Sequence, residues 1–355
     1  MSRILKTTII SSLALCLFSC NHDMTEACAN SREVVVEEGN TVKMVVPDRP
    51  YANGSIQILP KDKVADVTGW NPLYHAETRK LINKIASVWE KSDVAGYLIY
   101  GKNNPDLTFH WDVVPFPSAG SRWVKQFKVI WKTIFGASCS SYGKKVEEAN
   151  YLITELNALG SDDNDTIPAD NDDSKGDDAF CHFEVIEKQL IFSGEKVYVI
   201  YNYAPIGIGE DKLHFLVLPK KHRLNFSDLT EDEYNEAMLL SQRLVEYYRS
   251  KGFETAYIFN KTGAEAGQSV PHWHQHVIFI ANDPKDYFGK LNILKTMVFR
   301  SAPLPQEELK LRVESIRAEL APIFYTPNTR VISPDGDRLL LNEPFDDENK
   351  DSCQQ

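Results

Sequence analysis

Apolar and polar positions along this chain fall into one order of elements twice over. The run Ile58-Leu59-Pro60-Lys61-Asp62-Lys63-Val64 parallels Val217-Leu218-Pro219-Lys220-Lys221-His222-Arg223, a short apolar strand closed by a Pro-Lys turn. An amphipathic helix follows each run. In the second, Thr230-Glu231-Asp232-Glu233 is a capping box, and Tyr234, Ala237, Met238, Val245 and Tyr248 share one face before Gly252 stops it. In the first, Ile82, Ile85 and Trp89 share a face in the same way. Two strands come next: Tyr97 to Lys102 matches Tyr257 to Lys261, and Phe109 to Val114 matches Trp273 to Ile278. Lys132-Thr133-Ile134-Phe135 echoes Lys295-Thr296-Met297-Val298-Phe299, and helical runs close the copies at Thr154-Glu155-Leu156 and Ala318-Glu319-Leu320. The expected fold is α+β: two tandem units, at 39–158 and 180–322, each an antiparallel sheet packed with helices.

Composition sharpens the ends and the joint. At 355 residues, 43% of them hydrophobic, the chain can bury two cores. Residues 159–179, rich in Asp, Asn, Ser and Gly, read as a solvated acidic linker; a calcium loop there would need Gly where Lys175 stands. Residues 323–355 read as a mostly disordered tail, apart from Arg338 to Leu341. Residues 1–20 read as an export signal: Arg3 and Lys6, an apolar run from Ile9 to Phe18, then Leu17-Phe18-Ser19-Cys20, similar to a bacterial lipoprotein box that would be lipidated at Cys20. The expected location is therefore outside the cytoplasm, held to a membrane only by that anchor. The other cysteines are too irregularly spaced to give a disulfide pattern. A net charge of −11 argues against nucleic acid or an anionic membrane as partner, while leaving room for a nucleotide-sized anion.

Nine histidines occur in the chain, and three of them, His272, His274 and His276, alternate within five residues. On a strand such spacing sends all three to one face. That pattern suits a metal cage, an anion site, or a nucleophilic imidazole with helpers; a plain polar strand is the bland alternative. Upstream, Gly263 and Gly267 allow close backbone approach, Gln268 and Ser269 supply donors, and Asn260 ends the preceding strand. Donors on a small-residue loop suit phosphoryl oxygens better than they complete a zinc shell.

The pattern Asn260-x-x-Gly263-x-x-x-Gly267-Gln268-Ser269-Val270-x-His272-x-His274-x-His276-Val277-Ile278, with the block His214 to His222 before it, resembles the signature of the histidine-triad (HIT) superfamily of nucleotide hydrolases and transferases. The resemblance covers about Cys181 to Ile280. It implies a nucleotidyl-histidine intermediate on His274, with His272 orienting that ring and His276 binding phosphate. Ser269 and Gln268 would contact phosphate or leaving group, Gly267 would let the backbone approach, and Asn260 would meet a phosphoryl oxygen. Asn202 stands where the family carries a ribose-binding Asp. No cofactor is required, but some members hold a structural zinc on a Cys-x-x-Cys pair plus two histidines; here Cys181, Glu184, His222 and His272 would be the ligands. The first unit keeps only His110, between Thr108 and Asp112, and reads as a degenerate HIT-like module.

The expected function is hydrolysis of a nucleoside phosphoramidate or dinucleoside polyphosphate, with a nucleotide-containing small molecule as partner and a homodimer left open. A transferase resembling galactose-1-phosphate uridylyltransferase is the alternative, although that branch usually carries Gln where His276 stands. A non-catalytic nucleotide- or metal-binding lipoprotein is the third reading.

Overall fold

The computed structural model describes residue 28 and residues 32–104, 107–159, 178–206, 212–281 and 302–324, with the backbone of two short strands at 330–332 and 338–340. The export signal with Cys20, nearly all of the linker, Lys295 to Phe299 and most of the tail lie outside the described residues.

The first half runs β1 (Val34–Glu38), β2 (Val42–Val46), β3 (Ile56–Pro60), α1 (Pro72–Glu90), β4 (Val94–Asn103), β5 (Trp111–Pro117), α2 (Arg122–Phe135) and α3 (Tyr142–Ala158). The second runs α4 (Phe183–Glu187), β6 (Leu190–Ser193), β7 (Val197–Tyr201), β8 (His214–Pro219), α5 (Glu231–Ser250), β9 (Thr255–Thr262), β10 (Gln275–Ile280) and α6 (Gln306–Phe324). A small hairpin, β11 (Arg330–Ile332) and β12 (Arg338–Leu340), follows. The ten main strands form one sheet in the order β1-β2-β3-β5-β4-β9-β10-β8-β7-β6. Read inward from either edge, the two halves have the same order. They meet antiparallel at β4 and β9, where Tyr100 faces Phe259, Ile99 faces Asn260 and Gly101 faces Ile258. The fold is thus α+β, with two antiparallel units joined edge to edge. Joining them this way pairs two edges that would otherwise be open to another chain.

Local chemistry explains the elements. Thr230 and Glu233 cap α5 reciprocally, as the capping-box spacing requires. Asn71 accepts from Leu73 and Tyr74 N–H groups ahead of Pro72, which sits at the helix start where its missing N–H costs nothing. Gly252, at φ +91°, follows the end of α5. One face of the sheet carries the main core: Trp273, Val277 and Phe279 pack there with Ala237, Leu244 and Tyr248 of α5 and with α1. On the other face Leu98, Tyr100, Val114, Phe116, Phe259 and Ile278 pack with Val129 of α2. The helix layer also ties the halves together, because Gln242 of α5 donates to Val67 and Trp70 carbonyls at 2.7 and 2.6 Å.

The fold supplies one link that the sequence left open and changes one expectation. Cys28 and Cys139, 111 residues apart, are paired as a disulfide, a link that no spacing rule could give. The histidine strand also starts later than alternation implies, at Gln275. Gln275 pairs with Val217, which would bring Trp273 opposite Pro219, a residue without an N–H to extend the ladder. The Trp273 N–H bonds instead to the Arg223 carbonyl, beyond the turn.

Candidate functional site

Alternation on β10 sorts the side chains as the spacing promised. Trp273 and Gln275 face α5, where the Gln275 amide donates to Ser241 Oγ at 2.9 Å. His274 and His276 face the other way. His274 Nδ1 lies 2.8 Å from the His272 carbonyl. A carbonyl only accepts, so Nδ1 carries the proton and the lone pair is left on Nε2. Burial, together with the neighbouring positive groups, pushes the His274 pKa down to about 4, so the ring is neutral near pH 7. A neutral imidazole with its Nε2 lone pair unprotonated is a nucleophile.

The hydrogen bonding of His276 can be traced from the backbone outward. The Ile206 N–H lies 3.0 Å from His214 Nδ1, which must therefore accept. His214 Nε2 then carries the proton and lies 2.9 Å from His276 Nδ1. His276 is left with its proton on Nε2, a neutral donor. Burial holds both rings neutral, with His214 pushed down to about 3 and His276 well below the ordinary range. Phe259 stacks on His276 with centroids 4.5 Å apart, fixing the ring plane.

His272 does something different from its neighbours. Its Nε2 donates to the Pro219 carbonyl at 3.1 Å, which turns the Nδ1 lone pair toward Asp178, Cys181 and His222. One ligand atom from each of these four residues lies within 4.8 Å of the others. His222 Nδ1 is 2.9 Å from Asp178 and 3.5 Å from the Cys181 sulfur. A carboxylate, a thiol and two imidazoles are a donor set that zinc accepts. The fourth member is Asp178, which corrects the assignment of Glu184. Glu184 sits exposed on α4, whereas Asp178 is 6% exposed. The pair reads Asp178-x-x-Cys181, backward from the cysteine rather than forward. His272 consequently orients His274 through its main-chain carbonyl, while its ring belongs to this cluster.

Two more expectations are corrected, one by register and one by hydrogen bonding. Asn260 pairs with Gln275, so its side chain shares the α5 face and points away from His276; its Oδ1 is buried there without a partner. Lys261, one residue on, lies on the histidine face, its ammonium 5.5 Å from the Phe259 ring centroid. Gln268 is committed to structure: its Oε1 accepts from the Gly263 N–H at 2.8 Å and its Nε2 donates to Leu224 at 2.9 Å. It braces the loop. Ser269 is exposed on that loop. Gly263 and Gly267 both adopt positive φ, and a Cβ on Gly263 would lie 2.5 Å from the Ala95 carbonyl, so the loop is built tight against β4. Asn202 closes a turn through its Oδ1 to Ala204 and sets its amide nitrogen 3.3 Å from the His214 ring. His214, Lys261 and Asp178 were missed. For the first two the signal was available, since each follows from period-two alternation on its strand.

Comparison with known proteins gives this two-halved sheet and its histidine pair a family. The HIT domain family model matches residues 184–282. An uncharacterized HIT-like protein of Methanocaldococcus jannaschii is 32% identical over 93 residues, covering 26% of this chain and 69% of that protein. The bis(5'-adenosyl)-triphosphatase of Saccharomyces cerevisiae is 36% identical over 104 residues, covering 28% of this chain and 47% of the yeast enzyme. The enzyme of the same name from Dictyostelium discoideum is 28% identical over 142 residues, covering 39% of this chain and 87% of that protein. The chain belongs to the HIT family. It spans about half the length of the yeast relative.

Proposed function

We propose that this protein hydrolyses a nucleotide-containing phosphoramidate or dinucleoside polyphosphate through a covalent intermediate on His274. The observation that carries this reading is the pairing of a neutral His274, proton on Nδ1 and lone pair on Nε2, with a neutral His276 that presents an Nε2–H. In the first step Nε2 of His274 attacks the α-phosphorus. The bond to the leaving group breaks, its electron pair leaves with that group, and solvent supplies the proton. His276 donates to a phosphoryl oxygen, Lys261 offsets the charge, and the exposed Ser269 hydroxyl hydrogen-bonds the departing atom. Water then bonds to phosphorus and loses a proton, and the N–P electron pair returns to His274. The names of the yeast and Dictyostelium relatives support a dinucleoside polyphosphate as one substrate.

Asp178, Cys181, His222 and His272 would hold a structural zinc, which supplies cross-linking rather than chemistry. Fixing His272 fixes its carbonyl, and that carbonyl sets the proton of His274. Metal analysis of the purified chain tests this: one zinc per chain is expected, falling below a tenth in Cys181→Ser, and a metal-free wild type overturns it. An exported, lipidated location is supported by the apolar run before Cys20 and by the Cys28–Cys139 disulfide, which an oxidising compartment favours.

Incubation with adenylyl and uridylyl donors, acid quench and intact-mass measurement tests the reaction. A nucleotidyl adduct in the wild type and none in His274→Ala is expected. No adduct and no turnover with any donor overturns the proposal, and an adduct discharged only by a sugar phosphate makes the protein a transferase.

A further inference from the structure

Beside the histidine pair, α2 of the first half lies over the face of β4 and β9 and encloses a cavity of about 110 Å³. Aromatic rings stand among aliphatic and polar side chains in its walls: Trp123 and Phe127 on the helix, Tyr100 and Phe259 on the sheet. Trp123 and Phe127 stack with centroids 5.5 Å apart and planes within 12°. Phe259 is a shared wall, one face of the site being its stack on His276. Lys261 lines the same cavity and lies on the histidine face of β9, so it is common to the aromatic space and the histidine pair.

The helix is fastened to the loop of the second half, not merely laid on it. Lys125 pairs with Glu265 at 2.7 Å, and the Gln126 amide donates to the Glu265 carbonyl at 2.9 Å. A Cβ on Gly267 would sit 3.2 Å from Gln126, so the glycine lets α2 close this distance. Trp123 stays 49% exposed and marks the mouth.

We infer that this cavity seats the leaving group of the reaction at His274 and selects one bearing a flat aromatic ring. The inference rests on the phosphoryl-transfer reading. The volume is of the order of the ~150 Å³ that accepts a benzene ring, and Trp123, Phe127, Tyr100 and Phe259 offer stacking to a planar group. Lys261 lies where negative charge gathers on the departing atom. The first half therefore contributes specificity without a nucleophile.

Two adenosine phosphoramidates test it, one of benzylamine and one of cyclohexylmethylamine, equal in carbon count but flat and puckered. Calorimetry on His274→Ala, which cannot react, should find the benzyl compound about tenfold tighter, worth one stacking contact. Adding Trp123→Ala should bring the ratio to about one, with an unchanged Tm because Trp123 is half exposed. Equal affinities in the first protein, a ratio unchanged in the second, or no binding of either compound overturns the inference. Adduct formation on wild-type His274 is scored separately: an adduct without ring preference sinks the cavity and spares the reaction, and a ring preference without an adduct sinks the reaction and with it the leaving-group role.

Discussion

Strands β5 and β10 occupy matching places in the two halves, and only one of them presents a nucleophile. Tyr100 pairs with Asp112 as Phe259 pairs with His276, which sets His110 where His274 stands. Even the backbone bond is repeated. His110 Nδ1 is 3.0 Å from the Thr108 carbonyl, as His274 Nδ1 is 2.8 Å from that of His272. The remaining partners differ. His110 Nε2 lies 3.5 Å from the Asp112 carboxylate, which also accepts from Gln57 at 2.8 Å. Burial alone would lower the His110 pKa, but the hydrogen bond and charge of Asp112 raise it above the ordinary value. In the second half His276 stands where Asp112 does, and burial drives His274 down to about 4 against the weaker upward pull of Asp178. The same backbone position thus carries an imidazole whose pKa is raised in one half and lowered in the other. Its neighbour at i+2 decides which.

The largest test of this contrast removes the nucleophile. His274→Ala should cost roughly 10³-fold or more in kcat/KM, whereas His110→Ala should leave it within about twofold, both read from steady-state hydrolysis of one donor. A comparable loss in both variants would mean that the two strands act together and the contrast is wrong.

Converting β10 toward β5 is the next test. His276→Asp sets a carboxylate beside His274 and against His214, removes the Nε2–H donor and repels phosphate. Turnover should fall about 10²-fold, and the acid limb of the pH–rate profile should move up, since a nearby anion favours the imidazolium. A limb that stays in place would show that Asp112 is not what sets His110 apart.

Acid titration reads the contrast without mutation. His274 is depressed to about 4 from an ordinary 6.5. Activity in kcat/KM should therefore be flat from pH 8 to about 5 and fall with a midpoint near 4. Stability follows the same sign. His75, His214, His274 and His276 are all depressed by burial, so the folded chain binds fewer protons than the unfolded one, and stability drops as pH falls from 6.5 toward 4. His110 has the opposite sign: its contribution is full below 6.5 and is lost as pH rises through its raised pKa. Imidazole NMR should find His110 titrating above 6.5 and His274 below 5; the reverse order would sink the comparison.

Much of this was legible in the chain. The capping box at Thr230, the doubled element order and the alternation of Trp273, His274, Gln275 and His276 are local patterns, and local patterns survive folding when one face must be buried. What stayed hidden depends on partners far away in sequence. Pro219 ends β8 and so takes His272 off the ladder, which no reading of residues 272–276 could show. Asp178 sits at the border of a polar stretch and looks like linker until Cys181, His222 and His272 converge on it. Asn260 was assigned by motif spacing, but its register with Gln275 gives the histidine face to Lys261. Placement of α2 over β9 joins residues about 140 apart, a contact set by topology alone.

The smallest expected effect is the most specific. Asp112→Asn keeps the shape and the hydrogen bond to Gln57 while removing the charge, so the His110 pKa should fall, with burial left opposed only by the Thr108 carbonyl. The cost to folding should be about 1 kcal/mol, one buried charge-assisted contact traded for a neutral one, and should be read as a small drop in Tm at pH 6. Hydrolysis at His274, three strands away, should change by less than about twofold. If Asp112→Asn instead shifts the acid limb of the His274 profile, the two imidazoles are coupled across the sheet, and the first half tunes the nucleophile as well as walling its leaving-group cavity.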